Sequence, residues 1–194
     1  MITKIAKTIR FITVPPIVVT VELILLLFFE DVFPTVLDFW LALICLAIVP
    51  VLAYPLQKIV PAFRHGGQGM QRRLAFILSP LGYIAAVVCS VVRDAIPNLL
   101  YISVVYLVSV ILLLLVNKLT PFHASGHGCS LGGSIILPCL FMGWYAILPG
   151  VLLFGLAFWA SVYLKRHTPR EFLLGALCSA ISALVCYFFI HPTF

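Results

Sequence analysis

Charge is what this chain has least of. Lys and Arg together number 12 and Asp and Glu only 6 in 194 residues, so 9% of positions are charged. A soluble domain cannot cover a chain that is 63% hydrophobic with so few polar groups. The mean hydropathy of +1.21 excludes that class. Period-2 alternation is also missing. The apolar runs are long and continuous, which predicts membrane-spanning helices rather than a barrel. No CxxC pair occurs among Cys45, Cys89, Cys129, Cys139, Cys178 and Cys186, and all lie in or beside apolar runs. They read as small packing residues, not disulfides or metal ligands. Internal repeats, low-complexity tracts and loops long enough for a soluble domain are lacking, so residues 1–194 read as a single membrane domain. The net charge of +6 then points to cations beside a lipid bilayer and to an anionic substrate, not to nucleic acid.

What is present is a series of apolar segments at about 11–29, 37–57, 74–92, 97–117, 128–142, 145–164 and 171–190. The expected fold is all-α: a multi-pass transmembrane helical bundle of seven helices, or six if an early segment is interfacial. A single helix over 128–164 would be ~55 Å long at ~1.5 Å per residue. A bilayer with its headgroups is only ~45 Å thick. Gly143 and Pro149-Gly150 offer a turn there. The basic start, Lys4 and Lys7, has the look of a secretory leader. The apolar run nevertheless continues through Phe29 into Glu30-Asp31 without a small-x-small cleavage site, so a retained first helix is expected.

Seven passes place the N-terminus and segments 58–73, 118–127 and 165–170 on one side. Eleven of the 12 cations then share that side, and only Arg93 falls opposite, with Glu30, Asp31, Asp38 and Asp94. By the positive-inside rule the cation-rich side is cytoplasmic.

Two polar clusters fall on that same side: His123-Ala124-Ser125-Gly126-His127, and Lys165-Arg166-His167-Thr168-Pro169-Arg170-Glu171. The first opens a helix, whose free N–H groups and partial positive charge suit an anion, with small residues allowing close approach. A histidine beside it can protonate a leaving oxygen. The plain alternative is a Gly-rich turn with surface histidines. In the second, His167 and Glu171 are four apart and share a helical face. A carboxylate behind a histidine fixes its tautomer and raises its basicity. The plain alternative is snorkelling cations flanking a helix.

Together the clusters resemble the type 2 phosphatidic acid phosphatase family, membrane relatives of the vanadium haloperoxidases. Ala124-Ser125-Gly126-His127 stands where the family has Pro-Ser-Gly-His. The stretch Ala160-Ser161-Val162-Tyr163-Leu164-Lys165-Arg166-His167-Thr168-Pro169-Arg170-Glu171 matches its Ser-Arg, five residues, His, three residues, Asp. The likeness covers roughly the last 75 residues and is poor before residue 118.

The resemblance implies a core of that family's kind and a metal-independent membrane phosphatase with no cofactor. Its substrate would be a lipid phosphate or isoprenyl (di)phosphate. His167 would attack phosphorus and become a phosphohistidine. Glu171 would orient it, and His127 would protonate the leaving group. Ser125 and the Gly126 N–H would hold phosphate oxygens. Ser161 takes the place of the family's phosphate-gripping arginine. Lys58 to Arg64 is the nearest match to the first motif of Lys, six residues, Arg-Pro, but is one residue short and lacks the Pro. Another cation is therefore expected at the site: Arg166 or Lys165, then Lys118, Lys58, Arg64, Arg72 or Arg73. A degenerate relative that binds or transports phosphorylated lipid is the alternative. His123 is a lesser rival of His127. Glu22, an intramembrane carboxylate, is a functional or helix-bonding candidate. His65 reads as a loop residue and His191 as distant from the site.

Overall fold

The computed structural model describes residues 1–64, 67–190 and 192, excluding the side chains of Arg64, Gln68 and Arg72; His65 and His191 lie outside it. The protein is an all-α bundle, with no strand among the described residues. Four helices are long and apolar enough to cross a membrane, and up to six spans result if each of two bent pairs counts as one.

The chain begins with α1 (Ile2–Ile12), turned by 56° from α2 (Pro15–Phe29). This corrects the expected first helix at 11–29. The break falls where Pro15 starts α2, a position that needs no backbone N–H. Around α1, Ile2, Ile5 and Ile12 are exposed on one side, whereas Ala6 and, just past the helix, Thr13 are fully buried. Thr3, Ala6, Arg10 and Thr13 follow helical spacing and face the bundle, where α1 packs on α10. Such a helix suits a membrane surface, with isoleucines toward lipid and Lys4 and Lys7 toward water.

The second pass is also bent. It comprises α3 (Val36–Leu43), a π-helical segment (Ile44–Ile48), α4 (Val49–Val51) and α5 (Ala53–Ile59), with a 42° break after Val51. Thr35 and Asp38 form a reciprocal capping box that starts α3. Short α6 (Pro61–Arg64) leads to α7 (Gly67–Val92) and α8 (Pro97–Leu119). Then come the 17-residue α9 (Gly126–Met142), α10 (Trp144–Tyr163) and α11 (Pro169–Ile190). Gly143, at φ 62, turns the chain between α9 and α10.

α8 is central, packed by α7, α9 and α11. Its Tyr101, Ile102, Val105 and Tyr106 meet Leu23 and Leu26 of α2, Tyr83 of α7 and Leu137 of α9 in the main core. Tyr106 donates to the buried Glu22 carboxylate and shares a 3.0 Å hydrogen bond with Ser134. Glu22 therefore joins α2 to α8 from within the core. Large apolar side chains line the outside of the spans, among them Leu81, Leu148, Leu152, Leu177 and Leu184. Lipid is their natural solvent. Stacked Trp144–Tyr145 and Trp159–Tyr163 pairs bracket α10, as interfacial aromatics do.

Contacts fix the alternation of the passes. At one end Thr3 meets Tyr163 and Arg10 meets Ser161. At the other, Arg93 pairs with Asp38 at 2.5 Å. That pair lies opposite the two histidine clusters.

Candidate active site

The clusters meet through the backbone. The Ser125 N–H donates to the Glu171 carbonyl at 2.8 Å. This closeness requires small residues. A Cβ on Gly175 would overlap the Ser125 carbonyl, and one on Gly128 would overlap the Phe172 carbonyl. α9 and α11 thus approach as small-residue helix pairs do in membranes.

Each cluster is shaped by local rules. Ser125 Oγ accepts from the Gly128 N–H at 3.2 Å and caps α9. Asn117, near the end of α8, clamps Ala124 from both sides: its Oδ1 accepts the Ala124 N–H at 2.8 Å and its Nδ2 donates to the Ala124 carbonyl at 3.1 Å. The sequence reading missed Asn117, and a polar amide closing an apolar run was the available signal.

α10 ends in a Schellman turn. Lys165 adopts φ 53, and the Arg166 and Lys165 N–H groups donate to the Ser161 and Val162 carbonyls at 3.0 and 2.9 Å. The reversal leaves Lys165 exposed and carries Arg166 and His167 back over the bundle. Thr168 and Glu171 then form a capping box for α11. The Thr168 N–H donates to Glu171 Oε2 at 2.9 Å, and the Glu171 N–H donates to Thr168 Oγ1 at 3.2 Å. The same Oε2 stands 3.7 Å from His167 Nδ1, beyond hydrogen-bond length but within ion-pair reach.

A cavity of about 640 Å³ lies at this end. Arg10, Gly126, His127, Arg166 and His167 line it, together with Tyr54 and Gln71. Its wall continues past Ser109, Ser130, Ser179, Tyr83 and Tyr106. Three lining residues hold a buried polar atom with no hydrogen-bond partner: His127 Nε2, Ser109 Oγ and Ser130 Oγ. A polar ligand would find open hydrogen-bonding capacity there. The His127 ring packs 5.8 Å from that of Phe172.

Of the residues singled out from sequence, His127, His167, Gly126 and Arg166 share this cavity. Ser125 is buried behind it as a cap, and Glu171 stands behind His167. Lys165, Lys118 and Lys58 are exposed and do not line it, nor does Arg73. The side chains of Arg64 and Arg72 lie outside the described residues. His123 is exposed on the loop before α9. The cation missed as a site residue is Arg10, whose Nη1 donates to Ser161 Oγ at 3.1 Å. Among the described residues, no three His, Cys, Asp or Glu side chains form a metal-binding group. No family model, curated protein or solved structure matches the chain.

Proposed function

We propose that the protein is a membrane phosphatase of the type 2 phosphatidic acid phosphatase kind, hydrolysing a lipid phosphate or isoprenyl (di)phosphate without metal or cofactor. The observation that carries this reading is the Ser125–Glu171 backbone bond, which seats His127 and His167 on one cavity with Arg166. His167, its Nδ1 turned toward Glu171, attacks phosphorus through Nε2. The bond from phosphorus to the leaving oxygen breaks, and His127 gives that oxygen a proton. Water then cleaves the phosphohistidine with His127 as base, releasing inorganic phosphate. Arginine charge and the free N–H groups at the start of α9 stabilise the phosphoryl oxygens in both steps.

The substrate's polar head enters the cavity while its tail stays in lipid. We place the protein in a bacterial inner membrane with the site toward the cytoplasm, because Lys4 and Lys7 lie at the same end of the bundle as the cavity. The second reading, a degenerate relative that binds or transports phosphorylated lipid, draws on Ser161 standing where the resemblance calls for arginine.

The deciding experiment is phosphate release by the purified protein from a panel of lipid phosphates, with His167→Ala as control. Release that vanishes in the variant is expected. Release that survives His167→Ala sinks the mechanism. No release from any substrate favours the second reading.

A further inference from the structure

Arg10 and Ser161 are 151 positions apart in the chain, yet they touch at the cavity wall. The guanidinium joins Arg166, His127 and His167 in lining the cavity, and no Asp or Glu among the described residues does so. Arg10 and Arg166 are close enough to act on one another as like charges. Arg10 is half-buried and Arg166 exposed at the mouth of the cavity, and the repulsion between two guanidinium groups facing one volume is relieved by an anion seated between them. Ser161 is fully buried, so its hydroxyl is a fixed point against which Arg10 is set. That contact uses one of five guanidinium donors, leaving a fork suited to two oxygens of a phosphate.

We propose that Arg10 is a phosphate-binding residue, delivered by the surface helix α1 and positioned by Ser161. The ligand class is a phosphate monoester or inorganic phosphate, held between Arg10 and Arg166. For its substrate this rests on the phosphatase reading; for anion binding it does not. The site is then complete only while the face formed by Thr3, Ala6, Arg10 and Thr13 is docked on the bundle. The guanidinium that the resemblance would place at position 161 comes instead from α1, and Ser161 holds it. Ser161→Arg alone brings a second guanidinium against Arg10, so it gains nothing.

The test uses the full chain in lipid nanodiscs, titrated with inorganic phosphate and assayed in parallel for phosphate release. Thermal unfolding reports whether each variant is folded. Arg10→Gln is expected to weaken phosphate binding by about tenfold or more, the usual loss for a charge-assisted pair. Arg10→Lys should recover part, because a point charge lacks the fork. The double variant Arg10→Gln/Ser161→Arg should bind more tightly than Arg10→Gln alone. If Arg10→Gln does not fold, Ser161→Ala replaces it, and a several-fold loss of phosphate affinity is expected because only the positioning bond is removed. Wild-type affinity in the folded Arg10→Gln protein, or in its stand-in, overturns the proposal, as does wild-type protein that binds no phosphate. Arg10-dependent phosphate binding without release from any lipid phosphate means that the phosphatase reading fails and Arg10 stands. Release that needs His167 but not Arg10 means the reverse.

Discussion

Glu171 presents a single carboxylate oxygen to two neighbours: Oε2 accepts the Thr168 N–H at 2.9 Å and lies 3.7 Å from His167 Nδ1. One side chain thereby starts α11 and stands behind the proposed nucleophile. The two duties separate by substitution. Glu171→Gln keeps an oxygen for the cap and removes the charge, so stability should hold while turnover falls. Glu171→Ala removes both, and should cost about 1 kcal/mol of stability as well, the usual size of a lost cap. Thermal unfolding alongside phosphate release checks the pair. Equal stability loss in both variants would show that the cap depends on charge rather than on the oxygen alone.

His127 offers a sharper kinetic separation. Its Nε2 is buried with no hydrogen-bond partner and belongs to the cavity wall. His127→Ala should slow turnover by about 10²–10⁴-fold, the range of a general-acid effect. The loss should shrink for substrates with better leaving groups, because these need less protonation. An aryl phosphate compared with an alkyl phosphate makes the measurement. A loss of equal size for both would remove His127 from the proton-transfer role.

Lys165 carries a prediction about the backbone. It is a non-glycine residue at φ 53, the left-handed position of the turn that ends α10. Lys165→Gly should be neutral or stabilising by up to ~1 kcal/mol, since glycine avoids the steric penalty there. Phosphate affinity should not change, because the side chain is exposed and outside the cavity lining. A weakened phosphate affinity in Lys165→Gly would return this residue to the list of ligands.

Helix approach can be tested at two glycines. Gly175→Ala puts a Cβ into the Ser125 carbonyl and should cost about 1–3 kcal/mol, with activity lost as the clusters separate. Gly155 in α10 has open space around its Cβ direction. Gly155→Ala should therefore leave activity intact and raise stability by roughly 0.5–1 kcal/mol, through lower chain entropy in the unfolded state. Equal destabilisation at both positions would mean that helix flexibility, not close approach, governs Gly175.

The later spans were legible in the sequence because a bilayer dictates their length and apolarity, and loops such as 120–125 interrupt them sharply. The meeting of the two clusters was legible too, as a matter of counting crossings. α1 was not. Over three turns its isoleucines alternate with Lys4, Lys7 and Arg10, and its inward face is made of threonines and alanine rather than bulky apolar residues. Nothing local marks Arg10 as a partner of Ser161, since their contact exists only once α1 folds over α10. Glu171 shows the opposite difficulty. Thr168-Pro169-Arg170-Glu171 is a readable helix start, but spacing to His167 spoke to the same residue and said nothing of the cap. The cations Lys58, Lys118 and Lys165 carried charge to the right end of the bundle without direction. A sequence gives their charge, whereas the turn at Lys165 decides which way each neighbour points.

The 17 residues of α9 have one further implication. At ~1.5 Å per residue they rise only ~25 Å, short of a ~30 Å hydrocarbon layer. The loop after α8 turns back, since Asn117, two residues before the helix end, holds Ala124 through both of its amide atoms. His127, in the first turn of α9, therefore sits below the end of α8 rather than level with it. An amphiphile drifting in the leaflet could meet it by sideways travel, head first, with its chains still solvated by neighbours. On the proposed function, such a recess would favour membrane-dissolved molecules over water-borne ones through depth alone, before any side chain has recognised a chemical group.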